Sequence, residues 1–252
     1  MAPPHRRRSP RAATTSALAA LVALALFFAA AEAHRLEAIG SLTMALLVAL
    51  AVAGALAAVA LAVLAFLAIW REKRGGAKRA AVGLFGGTAV LAVPMAFAGW
   101  AMTIPAVPDI ATDWNEPVPL RFGGFEPAAA SAAAPATRQT AAYPDIAPRR
   151  YRADVPAVFA AVRRIVAANG WQVLDLALPV GRGSPAWLEA VARHSLLALR
   201  DEVAIRVTAE GEGARVDVRS AARFGAHDFG SNALRVRTLL ADLDRALAAP
   251  SR

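Results

Sequence analysis

Three apolar runs dominate the first hundred residues of the chain. They extend from Ala17 to Ala31, from Leu42 to Trp70 and from Ala80 to Ile104. The second run contains no charged residue and is longer than the ~20 residues that cross a bilayer core. Together with the basic N-terminus, residues 1–16, the pattern predicts transmembrane helices over residues 17–33, 42–70 and 80–104.

Basic residues flank these runs unevenly and predict an orientation. Arg6, Arg7, Arg8 and Arg11 precede the first run, and the segment from Arg71 to Arg79 carries five positive charges against one negative. Loops rich in Lys and Arg stay in the cytoplasm. We therefore expect a multi-pass protein of the inner (cytoplasmic) membrane, with everything after residue 104 in the periplasm of a Gram-negative cell.

The first run has a second interpretation. Its arginine-rich start and the sequence Ala31-Glu32-Ala33 also resemble a cleaved signal peptide. Cleavage would leave the second helix entering from outside, so the C-terminal domain would still face outward. A pair of glycines in the third run, Gly83 and Gly87, has two interpretations as well: a dimerisation face, or close packing among helices of the same chain.

Residues 105–142 connect the helices to the rest of the chain. Prolines recur through this segment, which we interpret as an extended strap from Pro105 followed by an Ala/Ser/Pro-rich linker from Glu126 to Ala142. Asp109 and Asp113 lie in the strap. Their spacing lacks the oxygen register and glycine turn of a calcium loop, so they are interpreted as turn-capping residues.

Residues 143–252 show the alternation of a small globular domain. Asp154 and Pro156 can begin a helix that Asn169-Gly170 ends. Strands are predicted from Trp171 to Leu176, from Trp187 to Ser195, and on either side of a turn at Gly211-Glu212, where the hairpin has one apolar and one solvated face. That turn places Arg206 opposite Asp217. A second helix begins near Asp228.

This order of elements predicts the fold class. Because hairpins connect the strands, the sheet should be antiparallel, with its apolar face covered by the two helices. We therefore predict an α+β protein, in which a bundle of three transmembrane helices is followed by a two-layer domain.

Composition removes several function classes. The net charge of +9 comes mostly from residues 1–104, with 10 basic and 3 acidic side chains, and not from a basic face on the domain, so nucleic acid is not an expected partner. The chain has no cysteine and four histidines. We therefore expect no thiolate chemistry, no metal site and no cofactor.

One polar cluster stands out near the start of the second helix of the domain. Arginines before a helix N-terminus can hold an anion together with free backbone N–H groups. We name as candidate ligand-binding residues Arg219, Arg223, His227, Asp228 and Asn232, with Arg235 beside them. In the alternative interpretation Asp228 caps the helix, Asn232 makes local turn bonds and the arginines are solvated.

Several segments of the domain, including this polar cluster, resemble a known family. The similarity is carried by Tyr143-Pro144-Asp145-Ile146-Ala147-Pro148, by the run from Asp217 to Gly225, and by Asp228, Gly230, Asn232, Ala233 and Arg235. These residues resemble the bacterial proteins grouped as domain of unknown function 1499, over about Pro105 to Leu247. The resemblance implies similar N-terminal membrane helices, and it implies no established reaction, cofactor or catalytic residue.

Three functions are compatible with these features. The first is a binding or scaffold module of the cell envelope, with the lipid bilayer and envelope proteins as partners. The second is a periplasmic domain that binds an anionic or amphipathic small molecule near Arg219 and Arg223. The third, a hydrolase, would use His194, Ser195, Asp201 and Asp228. No nucleophile and base share a recognisable motif, so the sequence favours a protein without catalytic activity.

Overall fold

A computed structural model describes residues 10–73, 75–121, 133–180, 184–193 and 198–248. The chain divides into two compact units, Met1–Trp100 and Ala101–Arg252. The two units are described separately.

The first unit contains long apolar helices. They are α1 (Arg11–Arg35), α2 (Ser41–Glu72) and α3 (Ala77–Ala101), and among the described residues these three are long and apolar enough to cross a membrane. The predicted transmembrane helices are therefore confirmed as helices. The first begins earlier than predicted, at Arg11, and the third ends earlier, at Ala101.

The glycine pair of α3 packs within the chain. A Cβ atom on Gly83 would lie 1.7 Å from the Oγ of Ser16 in α1, and one on Gly87 would lie 2.9 Å from the carbonyl oxygen of Ala55 in α2. The Ser16 hydroxyl also donates a hydrogen bond of 2.8 Å to the carbonyl of Ala58. Small residues thus let the three backbones approach closely, which confirms the intramolecular interpretation of the pair.

The second unit is an antiparallel sheet with helices. Its strands are β1 (Asp109–Ala111), β2 (Arg149–Tyr151), β3 (Gln172–Ala177), β4 (Ala186–Arg193), β5 (Arg200–Glu210) and β6 (Gly213–Ala222). Its helices are α4 (Ala133–Ala142), α5 (Val155–Ala168) and α6 (Ser231–Ala248). The strand order is β1-β6-β5-β4-β3, and β2 also pairs with β6. The α+β class and the antiparallel sheet are as predicted.

Local sequence signals set the ends of α5. The Asp154 carboxylate caps the helix by accepting a 3.1 Å hydrogen bond from the N–H of Ala157. At the other end Gly170 adopts a left-handed φ of 66°, and the N–H of Trp171 donates to the carbonyl of Val166 at 3.2 Å. Both ends match the predicted cap residues, because a helix cap depends only on residues close to it in the sequence.

The core lies between one face of the sheet and the helices α5 and α6. Leu188, Ile205 and Val218 point from three neighbouring strands toward the helices and are buried, with Phe159 and Leu239 packed onto them. The hairpin register agrees with the prediction, since Arg206 lies directly opposite Asp217. Alternate residues of each strand therefore face away from the helices.

The second face of the sheet differs from the prediction. The hairpin face that was expected to be exposed to solvent carries two acidic residues that are buried: Glu202 is fully buried and Asp217 is 2% exposed. The strap, described here as residues 105–121, contributes β1 to the sheet and contacts this face further along its length. The prediction of a solvated face was wrong because the covering segment is remote in sequence.

The linker segment also contains regular structure. Residues 133–142 form α4, although the prolines around them predicted none. Pro135 falls in the first turn of the helix, where a proline does not interrupt the backbone hydrogen bonds.

Candidate functional site

The strap is attached to β6 by backbone pairing. Asp109 lies opposite Ala221 in antiparallel register, and the N–H of Thr112 donates to the carbonyl of Val218 at 2.9 Å. The Thr112 hydroxyl in turn accepts a 2.9 Å hydrogen bond from the N–H of Val218. β1 is therefore an integral edge strand, and it directs the following residues over the sheet.

The side chain of Gln139 in α4 holds the other edge of β1. Its Oε1 accepts from the N–H of Ala111 at 2.9 Å and from the indole Nε1 of Trp114 at 2.7 Å. Its Nε2 donates to the carbonyl of Ala111 at 2.7 Å. Gln139 is 4% exposed, so one amide satisfies three polar groups that would otherwise lack partners.

A bidentate ion pair joins β1 to β6. The Nε and Nη2 atoms of Arg219 donate to the two carboxylate oxygens of Asp109 at 3.0 and 2.7 Å. The guanidinium carbon lies 5.8 Å from the ring centre of Trp114. Both charged side chains are mostly buried, and this parallel geometry is among the stronger forms of ion pairing.

A second group of charges lies further along the hairpin. Asp217, 2% exposed, accepts from Arg215 at 2.9 Å and from Arg206 at 3.5 Å, and Arg215 also pairs with Asp113 of the strap. Burial acts to raise the pKa of Asp113, but the N–H of Asn115 and the Arg215 guanidinium outweigh it, so the pKa is lowered. The predicted Arg206–Asp217 pair is thus part of a network that includes the strap.

Two fully buried glutamates occupy neighbouring strands on this face. Both Glu189 carboxylate oxygens accept from the backbone N–H of Arg121, each at 3.0 Å. Glu202 Oε1 accepts from the Nε of Arg223 at 2.7 Å, while its Oε2 is buried without a hydrogen-bond partner. Burial raises the pKa of Glu202, and the nearby Glu189 charge adds to this, against the effect of Arg223.

A separate polar cluster lies at the start of α6. The Asp228 carboxylate accepts from the N–H groups of Gly230 and Asn232 at 3.1 and 2.8 Å, which caps the helix. Asn232 is fully buried, donates to the carbonyl of Pro108 at 2.9 Å and accepts from the Ser220 hydroxyl at 2.7 Å. These bonds join the helix start to both β6 and the strap.

The arginine of this cluster is also engaged. Arg235 Nη1 donates to the Ser220 hydroxyl at 2.9 Å, and its Nη2 donates to the Asp201 carboxylate at 2.6 Å. His227 makes different contacts: its Nδ1 accepts from the N–H of Phe229 at 2.9 Å. Its Nε2, which then carries the proton, lies 3.1 Å from the carbonyl oxygens of Ala101 and Ile104.

The candidate ligand-binding residues therefore divide between two locations, the end of β6 and the start of α6. Arg219 and Arg223 lie on the face under the strap, and each pairs with a buried carboxylate. Asp228 and Asn232 lie with Arg235 at the start of α6. The capping role of Asp228 is seen, whereas Asn232 makes long-range bonds and the arginines are paired and not solvated. Anion binding by these residues stays a prediction.

The residues considered for hydrolysis do not form a described site. His194 and Ser195 lie outside the described residues. Asp201 pairs with Arg235, and Asp228 caps α6. Within the described ranges, no group of three or more His, Cys, Asp or Glu side chains is arranged to hold a metal ion.

Sequence reasoning missed Glu189, Glu202 and Gln139. The two glutamates follow the strand alternation of a solvated face, and nothing nearby in the sequence indicates that a strap covers them. The many charged residues at alternate positions of two paired strands could have indicated a covered face, because the two Asp residues of the strap are possible partners for the arginines there. Gln139 carried no comparable signal.

A cleft of about 220 Å³ lies at the end of the described strap. Its walls come from Val118, Pro119 and Arg121 of the strap, from Pro185 to Trp187 at the start of β4, and from Arg206 of β5. The Arg121 guanidinium lies 5.0 Å from the ring centre of Trp187. Apolar walls and two cations thus share one opening.

These features define a class: a protein with three helices suited to a membrane and an α+β domain whose sheet lies between two helices and a charged strap. Residues 124–243 match the family model described as protein of unknown function (DUF1499). The chain therefore carries a DUF1499-like domain, as the resemblance predicted.

Other comparisons add little. No curated protein matches the sequence. Among solved structures, the vertebrate conserved region of human METTL16 is similar at 18% identity and a TM-score of 0.27, covering 37% of this chain and 74% of that one. CalU16 from Micromonospora echinospora is similar at 16% identity and a TM-score of 0.26, covering 40% and 73%. Scores this low support no inference about fold or function.

Proposed function

We propose that this protein lies in the inner membrane and holds its DUF1499-like domain in the periplasm. The support is the distribution of charge around the helices, because residues 71–79, where α2 ends and α3 begins, carry five Lys and Arg side chains against one Glu. With that segment in the cytoplasm, α3 runs outward and the domain follows it.

We further propose that the domain is a binding or scaffold module of the cell envelope. The observation that carries this proposal is that the charged groups on the second face of the sheet are used to hold the strap, through Arg219, Arg215 and Glu189. Polar groups committed to internal pairs favour a rigid module over a catalytic centre. A connection of seven residues between α3 and β1 suits such a module on a short tether.

The cysteine-free sequence gives a direct test of the orientation. Arg164→Cys places a thiol on the exposed side of α5, and Lys78→Cys places one in the basic segment. A membrane-impermeant maleimide should label the first variant in intact spheroplasts and the second only after lysis. Labelling in the reverse order would show that the domain is cytoplasmic.

The scaffold role is tested by crosslinking in cells at native expression. A photoreactive amino acid at Leu234, 65% exposed on α6, should capture a defined envelope protein, whereas the same group at buried Val236 should not. Failure to capture any defined protein from several exposed positions would count against the role.

The small-ligand alternative at Arg219 and Arg223 has less support. Both guanidiniums already hold buried carboxylates, so an anion would have to displace Asp109 or Glu202. Native mass spectrometry of the protein should show a bound species if this alternative holds, and Arg223→Ala should remove it.

A further inference from the structure

The cleft beside the strap has an amphipathic lining. Val118, Pro119, Pro185 and Trp187 supply apolar surface, and Arg121 and Arg206 supply two positive charges. Ligand sites are commonly apolar hollows in which a few polar groups fix orientation. This cleft has that character on a small scale.

The two arginines are not equally engaged. Arg121 stacks on Trp187, and no carboxylate of the described chain pairs with its guanidinium. Arg206 donates to the Glu116 carboxylate at 3.2 Å and to the Glu116 carbonyl at 2.9 Å, and it also pairs with Asp217 at 3.5 Å. Arg121 is therefore the more available of the two cations for an incoming anion.

Glu116 is the group that an anion would replace. Its side chain is 78% exposed, while that of Arg206 is 18% exposed. An ion pair with one partner so exposed is weak and readily exchanged. The Glu116 carboxylate therefore marks where a negatively charged head can lie against Arg206.

We propose that this cleft binds a single-chain amphipathic anion that enters from the aqueous phase. A phosphate or carboxylate head pairs with Arg121 and Arg206, and the start of an alkyl chain packs on Trp187 and the prolines. About 220 Å³ is below the ~300–1,000 Å³ of sites that enclose drug-sized ligands, so the two tails of a phospholipid do not fit.

The test is calorimetric titration of the full chain in phosphatidylcholine nanodiscs, with octyl phosphate as the probe and empty nanodiscs as the blank. One saturable site is expected. Arg121→Gln should weaken binding about tenfold through loss of a charge-assisted contact. Glu116→Gln should tighten binding about threefold, since the internal competitor loses its charge.

The controls separate charge from chain. Arg164→Gln, on the exposed side of α5, should bind as the unmodified protein does. Inorganic phosphate and octyltrimethylammonium should each bind at least about tenfold more weakly than octyl phosphate. The proposal is overturned if either probe binds equally well, if Arg121→Gln has no effect, or if binding does not exceed the blank. The titration does not depend on membrane orientation, so its failure is distinct from a failure of the proposed placement.

Discussion

Replacement of Gln139 by Ala should release the strap from the domain. The substitution removes the amide that accepts from Ala111 N–H and Trp114 Nε1–H and donates to the Ala111 carbonyl, at 2.7 to 2.9 Å. Ala111 is 1% exposed, so its groups have little access to water while the strap stays in place. A buried polar group without a partner costs ~1–3 kcal/mol.

The structure allows an estimate of the effect. Three polar groups lose their partner, and each is taken at the low end of that range because water can enter part of the vacated space. The free energy of opening the strap should therefore fall by ~3 kcal/mol. Since ~1.4 kcal/mol is a factor of ten, hydrogen-exchange protection of the strap should fall about 100-fold. The amides that report it are those of Thr112 and Ala222, which donate across the β1–β6 junction.

Hydrogen–deuterium exchange of the full chain in detergent micelles measures this change. Gln139→Glu should show a smaller loss, because a carboxylate can still accept from both donors but cannot donate to the Ala111 carbonyl. Gln172→Ala, on an exposed position of β3, is the matched control and should leave strap exchange unchanged. Equal protection in Gln139→Ala and the unmodified protein would refute the reasoning that this amide holds β1.

Three further predictions follow from the same structure. Asp109→Asn leaves the Arg219 guanidinium without its carboxylate and should lower the free energy of unfolding by ~3–5 kcal/mol, measured by urea-dependent pulse proteolysis. The double variant D109N/R219M should recover part of this loss. An unchanged free energy of unfolding in Asp109→Asn would contradict a structural role for the pair. Burial raises the pKa of the Glu202 carboxyl, so the folded state binds its proton more tightly than the unfolded state does. The free energy of unfolding should therefore fall as the pH rises from the ordinary glutamate pKa through the raised pKa. Glu202→Gln should flatten this slope, and an unchanged slope in the variant would argue against a role of Glu202. Gly87→Leu should destabilise the helical unit by ~1–3 kcal/mol in thermal scans because its side chain meets the backbone of α2, whereas Gly99→Leu, with open space around it, should not.

Local features of the fold were predictable because short-range rules govern them. The α5 caps at Asp154 and Gly170 depend on residues within one turn of the helix. The Arg206–Asp217 register follows from counting outward from a two-residue turn. Apolar length alone identified the helices of the first unit.

The candidate site was predicted only in part because burial of its charges is a long-range property. Alternation places Arg219, Asp217 and Arg215 on one face of β6, but it does not show that a segment about a hundred residues earlier covers that face. The sequence therefore predicts Arg219 either as a solvated residue or as part of an anion site. The structure supplies their partners from the chain itself, above all Asp109 and Asp113.

The position of these partners also bears on where the folded domain begins. The family match starts at residue 124, after the described strap, and the predicted domain starts at residue 143. A fragment beginning at either point would lack Asp109, and the mostly buried Arg219 would have no carboxylate at that position. It would also lack the Arg121 N–H that both oxygens of fully buried Glu189 accept. Because the strap also supplies backbone hydrogen bonds to β6 through Pro108 and Thr112, it belongs to the folding unit, in agreement with a compact unit that starts at Ala101.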